Sequence, residues 1–261
     1  MKTLFVGCGN MGRALLDGWL AAGALAPGDV TVADPVAAAP DDVALVREIP
    51  APGRFELVVL AIKPQQFAAL APSLRAASEG ALVLSVLAGV ETAALATAMP
   101  GARIARIMAN LAAAFGMSPV ALYAGPGVRE HDCALLDRLG RVLGPVEWLE
   151  DEGLLHAVTA LAGSGPGFVY RLLEAFAKGG AGLGLEPSAA AAMALATVRG
   201  SAELAARSGE DFAALAARVA SPGGTTRAGL DVLEAGDAAD RLIARTLKAA
   251  RDRSAELSAD G

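Results

Sequence analysis

Three glycines near the start of the chain have the spacing of a turn that brings a phosphate close to the backbone. Gly7, Gly9 and Gly12 follow the short apolar run Thr3–Val6 and precede a stretch that suits a helix. In such a turn the first glycine makes the bend, the second admits a pyrophosphate, and the third packs helix against strand. The alternative is a tight turn without a ligand. The candidate cofactor-binding residues here are Gly7, Gly9, Asn10, Met11 and Gly12.

An acid at the end of the next apolar run could bind a ribose. Asp34 lies 22 residues after Gly12, near the ~20 expected for a carboxylate that accepts from a ribose 2′-OH. The alternative is that Asp34 and Pro35 only begin a turn. A carboxylate would repel a 2′-phosphate, and the sequence between Asp34 and Arg47 contains no Arg or Lys to offset it. Asp34 therefore predicts NADH rather than NADPH.

Two further apolar runs end in residues that could face the same ligand. Lys63 follows the run at residues 57–62, and the run at residues 81–86 leads into Leu87 and Ala88. Ligands of parallel sheets bind at the carboxyl ends of the strands. The alternatives are a surface lysine before a helix and an ordinary strand end. Lys63 is also a candidate catalytic residue, and the candidate cofactor-binding residues are Ala61, Lys63, Pro64, Val86, Leu87 and Ala88.

The elements that must position these residues alternate between strand and helix over the first part of the chain. Such alternation predicts βαβ crossovers and a mainly parallel, doubly wound sheet. From Glu150 onward the strand-like runs stop, and helical stretches continue between Gly- and Pro-rich breaks. We therefore expect an α/β domain at residues 1–149 and an all-α domain at residues 150–261. The predicted strands are residues 2–6, 30–33, 57–62, 81–86, 104–108, 120–123 and 146–149.

Two regions of this organisation lead to more specific expectations. Residues 35–55 are rich in Pro and Ala and too short for a long crossover helix, so a truncated connection is predicted there. The helical domain must bury its apolar faces, and small helical appendages commonly do so by pairing with a second copy. We expect a homodimer through residues 150–261.

Composition and charge exclude several classes of function. The chain of 261 residues is 54% hydrophobic and has 22 Lys and Arg against 28 Asp and Glu, a formal charge of −6. No basic stripe offers a nucleic-acid footprint. Cys8, Cys133, His131 and His156 lack the spacing of a disulfide framework or a metal site. No run has the ~20 apolar residues of a membrane span, and no signal peptide is evident. We expect a cytoplasmic protein without metal.

Two longer motifs identify a family resemblance. The stretch VASPGGTTRAGL at residues 219–230 resembles the signature of pyrroline-5-carboxylate reductase, the last enzyme of proline biosynthesis. The stretch AVTALAGSGPGFVY at residues 157–170 resembles the helix-breaking segment of the same family. With the glycine turn and Ala61 to Pro64, the matches span nearly the whole chain in the family's order. The resemblance implies a Rossmann-like domain followed by a helical dimerisation domain, with larger rings of dimers possible.

The resemblance also implies a substrate site and a reaction. Hydride would pass from NAD(P)H to the C=N bond of 1-pyrroline-5-carboxylate, giving L-proline. In the 219–230 stretch, a Ser-Pro-Gly-Gly turn precedes threonines that begin a helix, so N–H groups and hydroxyls converge on a carboxylate. The alternative is a well-capped helix. Thr226 is the candidate catalytic residue, as a donor or relay at the ring nitrogen. The candidate substrate-binding residues are Glu152, Ser221, Gly223, Gly224, Thr225 and Thr226.

The chain departs from the family pattern at one cofactor-side position. Where the family often has Met-Pro-Asn-Thr-Pro, residues 108–112 read MANLA. Asn110 is retained as a candidate cofactor-binding residue, while the lost Thr and Pro bear on substrate scope. Two other functions remain open, namely a related imine or 2-hydroxyacid reductase and a non-catalytic nucleotide-binding sensor.

Overall fold

A mainly parallel sheet is the framework of the N-terminal part of the chain. The computed structural model describes residues 1–50 and 55–259, and within them the sheet has eight strands in the order β3-β2-β1-β4-β5-β6-β7-β8. Every neighbouring pair is parallel except β6 and β7, which are antiparallel. The strands are β1 Thr3–Val6, β2 Val30–Ala33, β3 Ala44–Val46, β4 Leu57–Leu60, β5 Leu82–Ser85, β6 Arg103–Met108, β7 Val120–Ala124 and β8 Val146–Trp148.

The strand order changes direction beside β1, as in a doubly wound Rossmann-like sheet. The chain runs outward from β1 to β2 and β3, then returns to place β4 on the other side of β1. Register pairs Val6 with Ala33 on one side and with Leu60 on the other. The carboxyl ends of these strands therefore meet at the switch point where such sheets bind ligands. The predicted fold class is confirmed.

Helices connect the strands and make up the rest of the chain. After Trp148 the described chain, which ends at residue 259, contains helices and no strand. This confirms the predicted all-α second half. The helices are α1 Asn10–Ala21, α2 Phe67–Ala77, α3 Thr92–Ala98, α4 Glu130–Arg141, α5 Leu154–Val158, α6 Gly165–Gly182, α7 Pro187–Ser208, α8 Phe212–Val219, α9 Thr225–Glu234 and α10 Ala238–Ala259.

Both faces of the sheet are buried. Phe5 belongs to one apolar cluster, and its neighbours Leu4 and Val6 belong to another on the opposite face. Trp19 is fully buried in the first cluster, packs edge-on against Phe5 at 5.7 Å, and donates its indole N–H to the carbonyl of Leu139. Burial on both faces explains why the strands read as continuous apolar runs.

The connection after β2 is as short as predicted, but it contains a strand that the sequence did not reveal. Residues 34–43 join β2 to β3 without a helix. Strand β3 has only three residues, of which Ala44 is exposed and Leu45 and Val46 are half-buried. A run so short carries no clear periodicity. Of the predicted connection 35–55, residues 51–54 lie outside the described residues.

The chain divides into two compact units. The first comprises residues 1–163 with residues 250–261, and the second comprises residues 164–249. In the first unit, a Cβ at Gly89 would lie 2.9 Å from the carbonyl oxygen of Leu257, so the end of α10 packs against the loop after β5. The predicted domain boundary at 149/150 lies where the strands end and the helices begin, and as a domain boundary it stays a prediction.

The second unit is a helical body with an apolar surface. Helix α6 packs against α7, where Ala190 and Ala194 are buried. Many of its large apolar side chains are exposed. No described helix is long and apolar enough to cross a bilayer. The most exposed of the apolar side chains include Tyr170, Phe176, Leu183, Phe212, Val219 and Val232.

Candidate active site

The glycine turn after β1 assigns a different physical role to each glycine. Gly7 has φ +92°, and a Cβ there would lie 2.6 Å from the carbonyl oxygen of Ala61 after β4. At Gly12 a Cβ would lie 2.7 Å from the carbonyl oxygen of Gly7. At Gly9 a Cβ would meet nothing within 4 Å. Two glycines are therefore required by the fold, and the third leaves open space beside the start of α1, where N–H groups point outward.

Asp34 connects this turn to the end of β2. The N–H of Cys8 donates to Oδ2 at 2.8 Å, while those of Val36 and Ala37 donate to Oδ1 at 2.9 and 2.7 Å. Burial acts to raise the pKa of Asp34, but these three N–H groups together outweigh it and hold that pKa below its ordinary value. The carboxylate is ionised at neutral pH, and it also forms the turn that was considered as the alternative.

Arg47, which lies 13 residues from Asp34 in sequence, is its neighbour in the fold. Because β3 pairs with β2, the guanidinium Nη1 donates to the carbonyl oxygens of Asp34 at 3.0 Å and Ala37 at 3.1 Å. Arg47 therefore brings a positive charge beside the acid. Sequence reasoning missed this residue because the strand that positions it has no recognisable pattern.

The glycine turn, Asp34 and the end of β4 border one large cleft of about 960 Å³. Its volume is at the upper end of the range of small-molecule and cofactor sites. Lys63 is exposed at its edge. Arg47 lines the cleft too. The predicted site residues that line it are Gly7, Gly9, Asp34, Ala61 and Lys63.

A second cavity of about 200 Å³ lies at the ends of β5 and β6. Met11 lines it, only two residues after Gly9, which lines the large cleft. Thr159 and Gly163 of a π-helical segment at Thr159–Gly163 complete one wall. The predicted residues that line this cavity are Met11, Val86, Leu87 and Ala88, whereas Asn10, Gly12, Pro64 and Asn110 line neither cavity.

The side chain of Asn110 forms hydrogen bonds within the protein. Its Oδ1 accepts from the N–H of Ala112 at 2.9 Å, and its Nδ2 donates to the carbonyl of Ala162 at 2.9 Å. The side chain thus connects the 3-10 helical turn Leu111–Phe115 to the π-helical segment that walls the small cavity. Asn110 therefore helps to shape that wall, and its contact with a cofactor stays a prediction.

Glu152 is the centre of a partly buried ionic cluster. Its Oε1 accepts from Arg106 Nη1 and from the N–H of Thr92, both at 2.8 Å, and its Oε2 accepts from the Thr92 hydroxyl at 2.6 Å. Burial acts to raise the pKa of Glu152, but the bonds from Thr92 and Arg106 outweigh burial and hold that pKa below its ordinary value. The predicted substrate residue is therefore an anion already bound by the protein. Sequence reasoning did not single out Arg106.

The segment at residues 221–226 lies in the second unit and has the predicted local form. Gly223 has φ +70°, the N–H of Gly224 donates to the carbonyl of Ser221 at 2.9 Å, and α9 begins at Thr225. Gly224 caps the helix without a side chain. Thr225 and Thr226 are exposed, and within the described ranges no hydrogen bond occupies their hydroxyls. Turn, helix start and free hydroxyls are the parts of a carboxylate site.

Metal ligands are not grouped in the described chain. Among residues 1–50 and 55–259, no three His, Cys, Asp or Glu side chains lie close enough together to hold an ion. Cys8 and Cys133 are both free thiols.

Comparison with known proteins identifies the family. The family model described as pyrroline-5-carboxylate reductase dimerisation matches residues 152–257. A pyrroline-5-carboxylate reductase of Pseudomonas aeruginosa is 34% identical over 269 aligned residues, covering 98% of this chain and 97% of the relative. This chain belongs to the pyrroline-5-carboxylate reductase family.

Other comparisons agree on both halves of the chain. The family model described as NADP oxidoreductase, coenzyme F420-dependent, matches residues 2–89. A solved pyrroline-5-carboxylate reductase of Coxiella burnetii has 29% identity and a TM-score of 0.89, with 98% of each chain covered. A Plasmodium falciparum pyrroline carboxylate reductase, solved with NADP bound, has 22% identity and a TM-score of 0.86 over 99% of this chain and 98% of that one, a likeness of fold.

We predict that Gly9→Ala weakens ligand binding while leaving the stability of the fold nearly unchanged. The added methyl group would enter the open space where a phosphate would approach, so the affinity for ADP-ribose should fall about tenfold or more. The thermal midpoint should fall by no more than about 4 °C, since the only structural cost is a poorer helix cap. Isothermal titration calorimetry and a thermal melt measure the two effects.

The matched variant is Gly12→Ala, whose methyl group would lie 2.7 Å from the carbonyl oxygen of Gly7. That variant should lose stability as well as affinity, because backbone cannot move aside easily. Undiminished ADP-ribose affinity in Gly9→Ala would remove the glycine turn from the binding site.

Proposed function

We propose that this chain reduces 1-pyrroline-5-carboxylate to L-proline with NAD(P)H. The observation that carries the proposal is the start of α9, where a turn, helical N–H groups and two hydroxyls without a partner among the described residues have the chemistry to receive a small carboxylate. Membership of the reductase family over nearly the whole chain supports the substrate class. A non-catalytic sensor would have no use for such a segment.

The residues of the first unit fit a dinucleotide. Gly7 and Gly12 allow the close backbone approach, Gly9 leaves space, and the N-terminus of α1 favours negative charge. When bound, the reduced nicotinamide supplies the hydride. We propose that Lys63 contributes positive charge at the edge of the cleft, and that Val86 to Ala88 border the nicotinamide ring.

In the proposed mechanism the protein binds and orients the cyclic imine and supplies a hydrogen-bond donor to its nitrogen. The carboxylate of the cyclic imine would bind at residues 221–226 through N–H groups and the hydroxyl of Thr225. The hydroxyl of Thr226 would donate to the ring nitrogen or relay a proton to it from water, because a C=N bond accepts hydride best when its nitrogen is protonated. The carbon must lie within about 3–3.5 Å of the hydride donor. We propose that segment 221–226 of the same or a partner subunit provides this placement.

A homodimer is proposed as the working form. The second unit exposes large apolar side chains such as Phe176 and Phe212, and a dimerisation model matches its sequence. Covering this surface with a second copy would remove it from water. The family resemblance leaves open that such dimers assemble into larger rings. A reducing cytoplasm would suit the two free thiols, Cys8 and Cys133.

The direct test is oxidation of NADH and NADPH by the purified chain with 1-pyrroline-5-carboxylate as acceptor. The imine should have a higher kcat/KM than other cyclic imines or 2-keto acids. A better rate with a 2-keto acid would favour a 2-hydroxyacid reductase. Cofactor binding without turnover of any acceptor would indicate a sensor.

We predict that Thr226→Ala lowers kcat about 100-fold, because the hydroxyl is needed only when the nitrogen gains its proton. The Kd of NADH should change by less than about twofold. The control is Thr97→Ala in α3, whose hydroxyl donates only to the carbonyl of Ala93. Stopped-flow turnover and calorimetry provide the measurements, and an unchanged kcat would remove Thr226 from the mechanism.

Preference for NADH over NADPH is proposed from the ionised carboxylate of Asp34. The N–H groups that lower its pKa keep it negative across the neutral range, so it repels a 2′-phosphate and can still accept from a 2′-OH. Arg47 offsets part of this repulsion because its guanidinium donates to the backbone carbonyl oxygen of Asp34 and so lies close to the carboxylate. NADPH should therefore remain a usable, weaker cofactor.

We predict that Asp34→Ser shifts the ratio of kcat/KM values for NADH and NADPH by about tenfold or more toward NADPH. Serine removes the negative charge and leaves Arg47 beside the ribose. Asp41→Ser, an exposed acid in the same connection, is the matched control and should leave the ratio unchanged. Initial rates with both cofactors measure the shift, and an unaltered ratio would refute the role of Asp34.

A further inference from the structure

The helix-breaking segment at residues 157–170 contributes one polar side chain to the small cavity. Among the described residues that line this cavity, only Arg106 and Thr159 have side chains that form strong hydrogen bonds. The terminal nitrogens of Arg106 already have protein partners, Nη1 in Glu152 and Nη2 in the carbonyl of Leu87. The other side chains of the wall are apolar. Thr159 is therefore the side chain whose polar group a ligand in this cavity can use.

The hydroxyl of Thr159 is unpaired and open to water. Helical threonines commonly donate to the carbonyl four residues earlier, as Thr97 does to Ala93 at 2.9 Å. The hydroxyl of Thr159 has no hydrogen-bond partner within the described ranges. On the buried and half-buried residues of those ranges, Nε of Arg106 is the one side-chain nitrogen or oxygen that is both unpaired and closed to water. Since Thr159 is half-buried, water reaches its unpaired oxygen.

The helix turns the face that carries Thr159 toward the cavity. Leu155, Thr159 and Gly163 follow one another at intervals of four residues, and all three line the cavity. Residues with this spacing share one face of a helix. Thr159 also begins the π-helical segment, and single π-helical turns occur frequently at functional sites. The bond from Asn110 to the carbonyl of Ala162 holds this segment in place.

The size and charge of the cavity select the ligand group. A volume of about 200 Å³ admits a small ring and not a whole dinucleotide, since a water occupies about 30 Å³ in the liquid. Met11 lines it from just beyond the glycine turn, and Val86 and Ala88 line it from the end of β5. A carboxylate here would lose water without gaining a free cation, because Arg106 is paired with Glu152. Apolar walls and one neutral hydroxyl therefore suit an uncharged ring that carries an amide.

We propose that the hydroxyl of Thr159 binds the carboxamide of the nicotinamide ring. This inference rests on the proposed function only in requiring that a nicotinamide dinucleotide binds; it does not depend on the imine. A hydroxyl can donate to the carboxamide oxygen or accept from its amino group. The bond would limit rotation of the ring, and so determine the face from which hydride leaves.

The experiment compares ligands with and without the nicotinamide ring. Thr159→Val replaces the hydroxyl with a methyl group of similar size, and Thr159→Ser keeps the hydroxyl. Calorimetry should find NAD⁺ bound about fivefold more weakly by Thr159→Val than by the unmodified chain, and within about twofold by Thr159→Ser. The Kd of ADP-ribose, which lacks the ring, should change by less than about twofold in both variants. Equal losses for both ligands, no loss for NAD⁺, or the same loss in Thr159→Ser would overturn the proposal.

The matched control is Thr97→Val in α3. The hydroxyl of Thr97 has a protein partner, the carbonyl of Ala93, and Thr97 lines neither cavity. Any general cost of replacing a helical threonine by valine should appear in the thermal midpoint of this variant, while its Kd values for NAD⁺ and ADP-ribose stay within about twofold. A selective loss of NAD⁺ affinity in Thr97→Val would count against a specific role of Thr159.

A second measurement needs no variant and covers the case in which Thr159→Val fails to fold. Pyridine adenine dinucleotide has a hydrogen in place of the carboxamide, so the unmodified chain should bind it more weakly than NAD⁺. Equal affinities would overturn the proposal. Imine turnover is measured separately, so a chain that shows these affinity differences without reducing 1-pyrroline-5-carboxylate would refute the substrate and retain Thr159.

Discussion

The close approach of Gly7 to Ala61 is the contact on which the large cleft depends. Backbone meets backbone here at the switch point of the sheet, with no room for a side chain at Gly7. The approach is possible because β1 and β4 are parallel neighbours whose carboxyl ends lie side by side. The turn leaves Gly9 in open space beside the start of α1. The same turn presents the N–H of Cys8 to Asp34, so one backbone constraint orders both the glycine turn and the acid that border the cleft.

The second constraint is electrostatic and lies one strand further along. Arg106 contacts the carbonyl that follows β5 and the carboxylate that precedes α5, and that carboxylate in turn binds the first residue of α3. Burying charges is costly unless each finds partners. The network meets that condition for Glu152 but leaves Nε of Arg106 without an acceptor among the described residues. The small cavity and the incompletely paired guanidinium of Arg106 thus lie at the same edge of the sheet.

Local pattern predicted most of the fold and part of the site. The glycine turn, seven of the eight strands in the described residues and the helical second half followed from apolar periodicity and Gly and Pro breaks. Strand β3 did not, because three residues at a half-exposed sheet edge carry no distinct pattern. Because β3 was not predicted, the role of Arg47 was not predicted either. Arg47 comes close to Asp34 only because β3 pairs with β2. Arg106 was missed for a related reason, since an arginine inside an apolar strand has no spacing that marks a partner 46 residues away.

Sequence alone predicted the local parts: a glycine turn between strand and helix, an acid at the end of the second strand, and a signature segment that begins a helix. These depend on short-range chemistry, in which the residue type and its near neighbours decide the backbone conformation. Only the tertiary structure decided which partners these side chains have inside the protein. Asp34, Asn110 and Glu152 have the right chemistry for binding, and each already forms hydrogen bonds within the protein. Several of these bonds join residues far apart in the chain, and they exist only once the sheet edge has been assembled.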